Sequence, residues 1–223
     1  MSVLARPATA PKLSAKPARP TRDAERTRAA ILDAATAEFA RQGLGGARVD
    51  RIAQRAKTNK RMLYYYFGAK EALFLAVLER AYEHIRNQEQ SLHFADLPPV
   101  AGVRQLIDFT WNYYLAHPEF MTLLNSENLH RALHIKRSQK IRAMHSPLIA
   151  TLSEVLSRGV TDGVFRKGVD PVQLYVSIAA LGYFYLSNNH TLSTIFGRDL
   201  LATRAKAERL AHINDLVLGY LAR

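Results

Sequence analysis

Residues 47–73, ARVDRIAQRAKTNKRMLYYYFGAKEAL, constrain this chain more than any other stretch. Val49, Ile52, Ala53 and Ala56 fall at i, i+3, i+4 and i+7, which puts an apolar face on a short helix over residues 49–57. Asp50 lies in the first turn, where a carboxylate suits the positive end of the helix dipole. Lys57-Thr58-Asn59 interrupts the pattern, and Asn59 is placed to cap a second helix over residues 60–66. That helix exposes Lys60, Arg61, Tyr64 and Tyr65 while Leu63 and Phe67 face inward. Two short helices across a sharp turn, the second bearing cations and phenols, form the pattern of a helix-turn-helix DNA reader.

The charge distribution points the same way. Of the net +12, residues 1–70 account for +10 (15 Lys/Arg against 5 Asp/Glu) and residues 71–223 for +2 (16 against 14). The excess sits on the segment assigned to DNA, as phosphate binding requires. With no cysteine there is no disulfide, thiolate zinc site or thiol nucleophile. No apolar run is long enough to span a bilayer, and the basic N-terminus lacks the apolar core of a secretion signal. A cytoplasmic protein without membrane contact is expected. No Ser-His-Asp order, phosphate loop or glycine fingerprint supports catalysis, and no cofactor is expected.

The same stretch resembles the N-terminal signature of the TetR/AcrR family of bacterial transcriptional regulators. Its elements here are Gly45-Gly46, Ile52-Ala53-Gln54-Arg55-Ala56, Leu63-Tyr64-Tyr65-Tyr66-Phe67 and Lys70-Glu71-Ala72-Leu73, ungapped over about fifty residues once residues 28–43 are included. Three positions depart from the family pattern. Arg48 stands where a capping Thr is frequent, Lys57 where a Gly usually closes the turn, and Gly68-Ala69 where Pro-Ser usually precedes the lysine. A non-glycine residue at a left-handed turn position costs roughly 1 kcal/mol.

The resemblance implies an all-α fold: a three-helix DNA-binding head followed by a larger helical domain for effector binding and dimerisation. It places the helix over residues 60–66 in the major groove, with base-edge or near-base roles for Thr58, Lys60, Arg61 and Tyr64. Phosphate roles fall to Arg48, Tyr65 and Lys70, and Asn59 is counted with the DNA-contacting set. The physical warrants are separable. Arg61 can make two hydrogen bonds to guanine, worth roughly 1–3 kcal/mol of discrimination, whereas phenols and ammonium groups position the head on the backbone. Lys70 adds charge to an already positive helix end, which a bound anion would balance. Core packing is the other reading of Tyr64, Tyr65 and Tyr66, and it is expected at least partly for Tyr66.

Three domains are expected: a disordered basic arm over residues 1–22, the DNA-binding head over 23–70, and the effector-binding and dimerisation domain over 71–223. In the arm, Arg6, Lys12, Lys16, Arg19 and Arg22 either touch DNA or are simply solvated. Helix 1 is expected over residues 23–41, ended by Gly43, and a long linking helix over 70–92. One flank of that long helix should meet the head and the other the following domain. Further helices are expected over 100–116, 118–133, from 136 to a break near Ser146-Pro147, over 147–161, over 171–188, and over 199–221 after a break at Gly197. The last two carry broad apolar faces that suit either a monomer core or, as the resemblance implies, a four-helix interface between two copies.

A second site is less local. Trp111, Tyr114, Asn125, Asn128, His130, Tyr183 and Asn188 put aromatic and amide or imidazole groups on otherwise apolar helices, as a small polar aromatic ligand would require. Helix capping and bonding across a dimer interface explain them equally well. The segments NSENLHRA and YFYLSNNHTLSTIFG are similar to a subgroup of the family tied to catabolism of aromatic or heterocyclic acids. Glu127, His130 and His134 share one helix face, yet surface histidines at such spacing are common and no metal is assigned.

The expectation is therefore a dimeric repressor on a near-palindromic operator, released by a small-molecule effector. An activator or ligand-independent regulator of the same fold is the first alternative. A helical ligand-binding protein with a vestigial head is the second, and non-specific nucleic-acid packaging the third.

Overall fold

The computed structural model describes residues 22–223, and the expected basic arm, with Arg6, Lys12, Lys16 and Arg19, lies outside them apart from Arg22. Ten α-helices follow in order: α1 (Arg22–Gly46), α2 (Val49–Arg55), α3 (Lys60–Phe67), α4 (Lys70–Gln90), α5 (Pro99–Ala116), α6 (Pro118–Leu129), α7 (Gln139–Thr161), α8 (Pro171–Ser187), α9 (Asn189–Phe196) and α10 (Thr203–Leu221). Short 3-10 turns at Phe94–Asp96 and Ile135–Arg137 link α4 to α5 and α6 to α7. The described residues hold no strand, only an isolated bridge between Phe165 and Ala222. The fold is all-α, as expected.

Two cores organise these helices. Ile31, Phe39, Ile52, Leu63, Leu73, Phe74, Val77 and Leu78 close around the first four helices, joined by Leu123 of α6 and Ile141 of α7. The larger core gathers Ile85, Leu106, Ile107, Trp111, Leu152, Val155, Ile178, Ile213 and Val217 from α4, α5, α7, α8 and α10. At about 1.5 Å per residue, the 21 residues of α4 run about 30 Å, enough to cross both. The division expected between the two flanks of this helix runs along its length instead. Residues Leu73 to Leu78 belong to the first core, Ile85 to the second, and Ala81 and Tyr82 touch both.

The first helical run of α1 ends at Gly43 as expected, where φ 63° and ψ 176° turn the backbone as glycine permits, and a further turn completes α1 to Gly46. Three boundaries differ from the periodicity-based expectation. The helix expected to break at Pro147 is continuous from Gln139 to Thr161. Proline inside a helix costs about 3 kcal/mol, and burial of Ile141 in one core and Leu148, Leu152 and Val155 in the other offsets it. Helix α6 stops at Leu129 rather than near 133, because Arg131 and Ala132 turn into the left-handed region at φ 56° and 59°. Glu127 holds that turn, accepting from the backbone amides of His134 (2.8 Å) and Ile135 (2.9 Å). Finally, α9 was not expected, and α10 begins at Thr203 rather than near 199. No residue of α9 is buried, and Leu192, Ile195 and Phe196 give its eight residues one apolar turn, too short a run to mark a helix by periodicity.

Candidate functional site

Local chemistry builds the α2–α3 unit. Helix α2 has no side-chain cap from Arg48, where the usual threonine is missing. Buried Glu38 of α1 instead accepts from the Arg48 amide at 3.2 Å, a substitute supplied from another helix. The α2 terminus closes with the Thr58 amide on the Ala53 carbonyl (3.0 Å), and Lys57 takes the left-handed position at φ 52°. Asn59 caps α3 as expected, accepting from the Met62 amide at 3.0 Å.

On α3, Leu63 is buried and locks the helix onto the head core, while Lys60, Arg61, Tyr64 and Tyr65 are exposed. The first, second, fifth and sixth positions of a helix share one side, so two cations and two phenols project together. Tyr65 is 76% exposed and Tyr64 47%, far above what a core role would leave. Tyr66 is half-buried and meets Tyr65 edge-on at 5.2 Å, which fits the packing role expected for it. Arg48 and Asn59 are exposed and Thr58 half-buried beside this face.

Two cations have partners that the sequence did not reveal. Lys60 pairs with Asp50 of α2, and both side chains are half-exposed. An exposed pair contributes about 0–1 kcal/mol, so the Lys60 ammonium can leave the carboxylate at little cost. Lys70 donates to the Ala47 carbonyl at 2.8 Å, fastening the start of α4 to the α1–α2 turn. A carbonyl thus engages this ammonium group, for which the sequence suggests an anion.

The seven residues expected around an effector are engaged in packing and hydrogen bonds within the chain. Trp111 and Tyr114 are buried in the larger core, packed against Tyr185 and Phe120. Asn125 of α6 bonds Ser187 at 3.0 Å and accepts from Tyr183, bridging α6 to α8. Asn128 donates to the Leu124 carbonyl within α6, and Asn188, just past the end of α8, to the Phe184 carbonyl, each at 2.9 Å. His130 bonds the Ser126 carbonyl at 2.7 Å. These residues therefore spend hydrogen bonds within the chain. His134 Nδ1 meets Glu127 Oε2 at 2.7 Å, and among the described residues no three His, Cys, Asp or Glu side chains converge on a metal position.

A different place carries no mark in the sequence. Arg86 and Glu89 of α4 are buried and line a cavity of about 200 Å³ between α4, the Phe94–Asp96 turn and α7. Burial pushes the Glu89 carboxyl up to about 7, against the opposing pull of Arg86. Burial likewise raises the phenol of Tyr175, which accepts from Arg86 Nη2 at 2.8 Å. A charged pair at i, i+3 reads in sequence as a solvated helix face, and only packing shows otherwise.

A three-helix head with a capped, cation-bearing second reader helix, carried on a separate helical core, defines a helix-turn-helix DNA-binding regulator. Comparison with known proteins supplies the family. Residues 31–77 match the family "Bacterial regulatory proteins, tetR family", and residues 99–217 match "Tetracyclin repressor-like, C-terminal domain". The chain belongs to the TetR family and is a DNA-binding transcriptional regulator. It is 43% identical to the HTH-type transcriptional repressor NicS of Pseudomonas putida, over 90% of this chain and 94% of that protein. It is 36% identical to the HTH-type transcriptional repressor SCO4008 of Streptomyces coelicolor, over 64% of this chain and 72% of the relative. Among solved structures, the Streptomyces coelicolor protein SCO4942 superposes with a TM-score of 0.66 at 25% identity, covering 87% of this chain and 98% of the other. The ketosteroid regulator KstR2 of Mycobacterium tuberculosis gives 0.64 at 19%, covering 88% and 95%, a likeness of fold alone. No helix among the described residues is long and apolar enough to cross a membrane.

Proposed function

We propose that the protein is a homodimeric repressor that leaves its operator when a small molecule binds the larger helical unit. The observation that carries this reading is the α3 face, with Lys60, Arg61, Tyr64 and Tyr65 exposed together on a helix anchored by buried Leu63. In this reading Thr58, Asn59, Lys60, Arg61 and Tyr64 approach base edges, and Arg48, Tyr65 and Lys70 approach phosphates. The DNA-reading unit comprises residues 23–70 and the effector and dimerisation unit residues 71–223. Repression as the sign of the output is supported by the two relatives, both of which are repressors by name.

Dimerisation is supported by apolar side chains left in solvent on the last long helices. Val172, Val176, Leu216 and Tyr220 are each about half exposed on α8 and α10, and Leu174, Ala180 and Val217 help line a groove of about 430 Å³ between these helices. Patches of this kind mark association surfaces. One head contacts few bases, and two heads related by a two-fold axis read half-sites one turn or more apart.

Effector release is supported by the way the cores interlock. Helix α4 serves both cores, and Leu123 and Ile141 of the larger unit complete the head core. A shift of these helices would alter the spacing of paired heads. A tenfold loss of DNA affinity requires about 1.4 kcal/mol of preferential effector binding to the DNA-incompetent state.

Fluorescence anisotropy with the duplex upstream of the protein's own gene, against a scrambled duplex at physiological salt, tests this. A preference of about a thousandfold or more, as for specific readers, is the expected result. Equal weak binding to both would remove autoregulation, and absence of binding even at low salt would defeat the proposal.

A further inference from the structure

Arg86 and Glu89 stand nearly one turn apart on α4, 3% and 2% exposed. Arg86 Nη1 and Glu89 Oε2 are 2.9 Å apart, close enough for an ion pair. The approach is not aligned as a hydrogen bond, and Arg86 Nε and Nη1 and both Glu89 oxygens have no hydrogen-bond partner. Unpartnered buried polar atoms are uncommon in native proteins, because each carries its desolvation cost uncompensated. Both side chains line the cavity of about 200 Å³, where Phe94, Met144 and Leu148 supply apolar walls. His93 also lines it and is exposed, marking the side open to solvent. Arg158 of α7 fastens the Phe94–Asp96 turn, donating to the carbonyls of Ala95 and, at 3.1 Å, Leu97.

From this arrangement we infer that the cavity binds a small planar ring with a cyclic-amide edge, whose carbonyl accepts from Arg86 and whose N–H donates to Glu89. The inference rests on the effector reading above and gives that effector a site and a chemical class. Free donors and free acceptors stand side by side on α4, so the complementary ligand edge carries an acceptor next to a donor. At mildly alkaline pH, where Glu89 is ionised, a carboxylate would satisfy Arg86 but face Glu89 with like charge, and an ammonium group would face Arg86 with like charge. A neutral lactam or imide pairs with both groups and leaves the buried charge balance unchanged. The volume corresponds to about seven waters at about 30 Å³ each, which is room for a single ring. Apolar walls suit the ring faces.

Occupancy would be felt in two directions. Arg86 also donates to Tyr175 of α8, and α4 carries Leu73, Phe74 and Val77 into the head core. A ligand competing for the guanidinium therefore acts on the helix that bears the proposed interface and on the helix that bears the head.

The test is calorimetric titration of the full-length protein, in mildly alkaline buffer, with 2-pyridone, with 1-methyl-2-pyridone and with benzoate. The methylated ring keeps the carbonyl but lacks the N–H. Saturable binding of 2-pyridone is expected, weakened at least about tenfold by methylation, as loss of a hydrogen bond to a charged group predicts. The double variant Arg86→Met with Glu89→Leu replaces the pair by apolar groups of similar size, a change buried ion pairs commonly tolerate. Its thermal unfolding confirms the fold, and it is expected to lose 2-pyridone binding at least about tenfold. No binding of 2-pyridone, equal affinity for the two pyridones, preference for benzoate, or unchanged affinity in the double variant each overturns the assignment. Operator release is read separately by anisotropy. A different molecule that releases wild type and double variant equally would sink this site while leaving the effector reading intact. Binding of 2-pyridone without release would keep the cavity assignment and remove its effector role.

Discussion

The backbone amide of Leu44 donates to Ser126 Oγ at 3.1 Å, and both groups are buried. This bond joins the end of the head's first helix to α6 of the larger unit across 82 positions of sequence. It sits beside Gly43, where a Cβ would come within 3.6 Å of the same hydroxyl. Ser126→Ala leaves the Leu44 amide buried without an acceptor. The expected cost is roughly 1–3 kcal/mol of stability, read from the urea midpoint at unchanged slope. If this bond also transmits effector binding, the variant will need more effector than wild type, or less, for the same loss of operator anisotropy. An unchanged midpoint would show that water replaces the hydroxyl.

Glu89 makes stability depend on pH in an uncommon direction. Its folded-state pKa is raised to about 7 from an ordinary 4.5, chiefly by burial. Between those values the native state binds more proton than the unfolded state, so stability falls as pH rises through this window and levels off above it. A shift of this size corresponds to about 3 kcal/mol. Glu89→Gln removes this component, so the variant should gain on wild type as pH rises from about 5 to about 8. Thermal unfolding across that range checks it. A wild-type contribution that instead grows with pH would mean that Arg86 outweighs burial.

The head was readable in sequence because its signals are local. Asn59 caps and Lys57 turns through contacts only a few residues away, and the spacing of Leu63 within its own helix marks the buried face. What escaped reading depends on distant partners. Glu38 substitutes for the missing cap at Arg48, and Lys70 is held by Ala47, through contacts that no spacing rule displays. Pro147 marks a helix break by propensity, yet two cores gripping one helix override it. Arg86 and Glu89 look like surface charges until α7 and the Phe94–Asp96 turn cover them. For the proposed effector site, the aromatic and amide residues that caught attention in sequence make bonds within the fold, and the unpartnered atoms belong to ordinary charged residues.

On DNA, the exposed α3 residues should separate by role. Arg61→Ala is expected to cost roughly 1–3 kcal/mol and to relax preference at one base position per half-site. Tyr65→Phe removes a hydroxyl proposed to meet phosphate, so it should weaken all duplexes alike. Lys60→Ala should reduce the slope of log affinity against log salt by about 1 if Lys60 meets phosphate, and leave it unchanged if Lys60 reads a base edge. Its pairing with Asp50 is half-exposed, so little stability should be lost in either case. Anisotropy titrations over a salt series, on matched and single-base-altered duplexes, distinguish these outcomes.

The proposed interface offers a variant that separates association from folding. Val176 is 52% exposed on α8, so Val176→Glu adds a charge in solvent within the monomer and should change its stability by no more than about 0.5 kcal/mol. In a dimer packed on this face, the same carboxylate would be buried twice over, once from each copy, at a cost of several kcal/mol per ion. Sedimentation equilibrium should therefore show wild-type dimers and variant monomers at the same micromolar loading. Each monomer would keep an intact head, so half-site binding should survive while tight binding to the full operator is lost. A variant that remains dimeric would place the interface elsewhere, with the exposed Ile195 and Phe196 of α9 as the next apolar surface to alter.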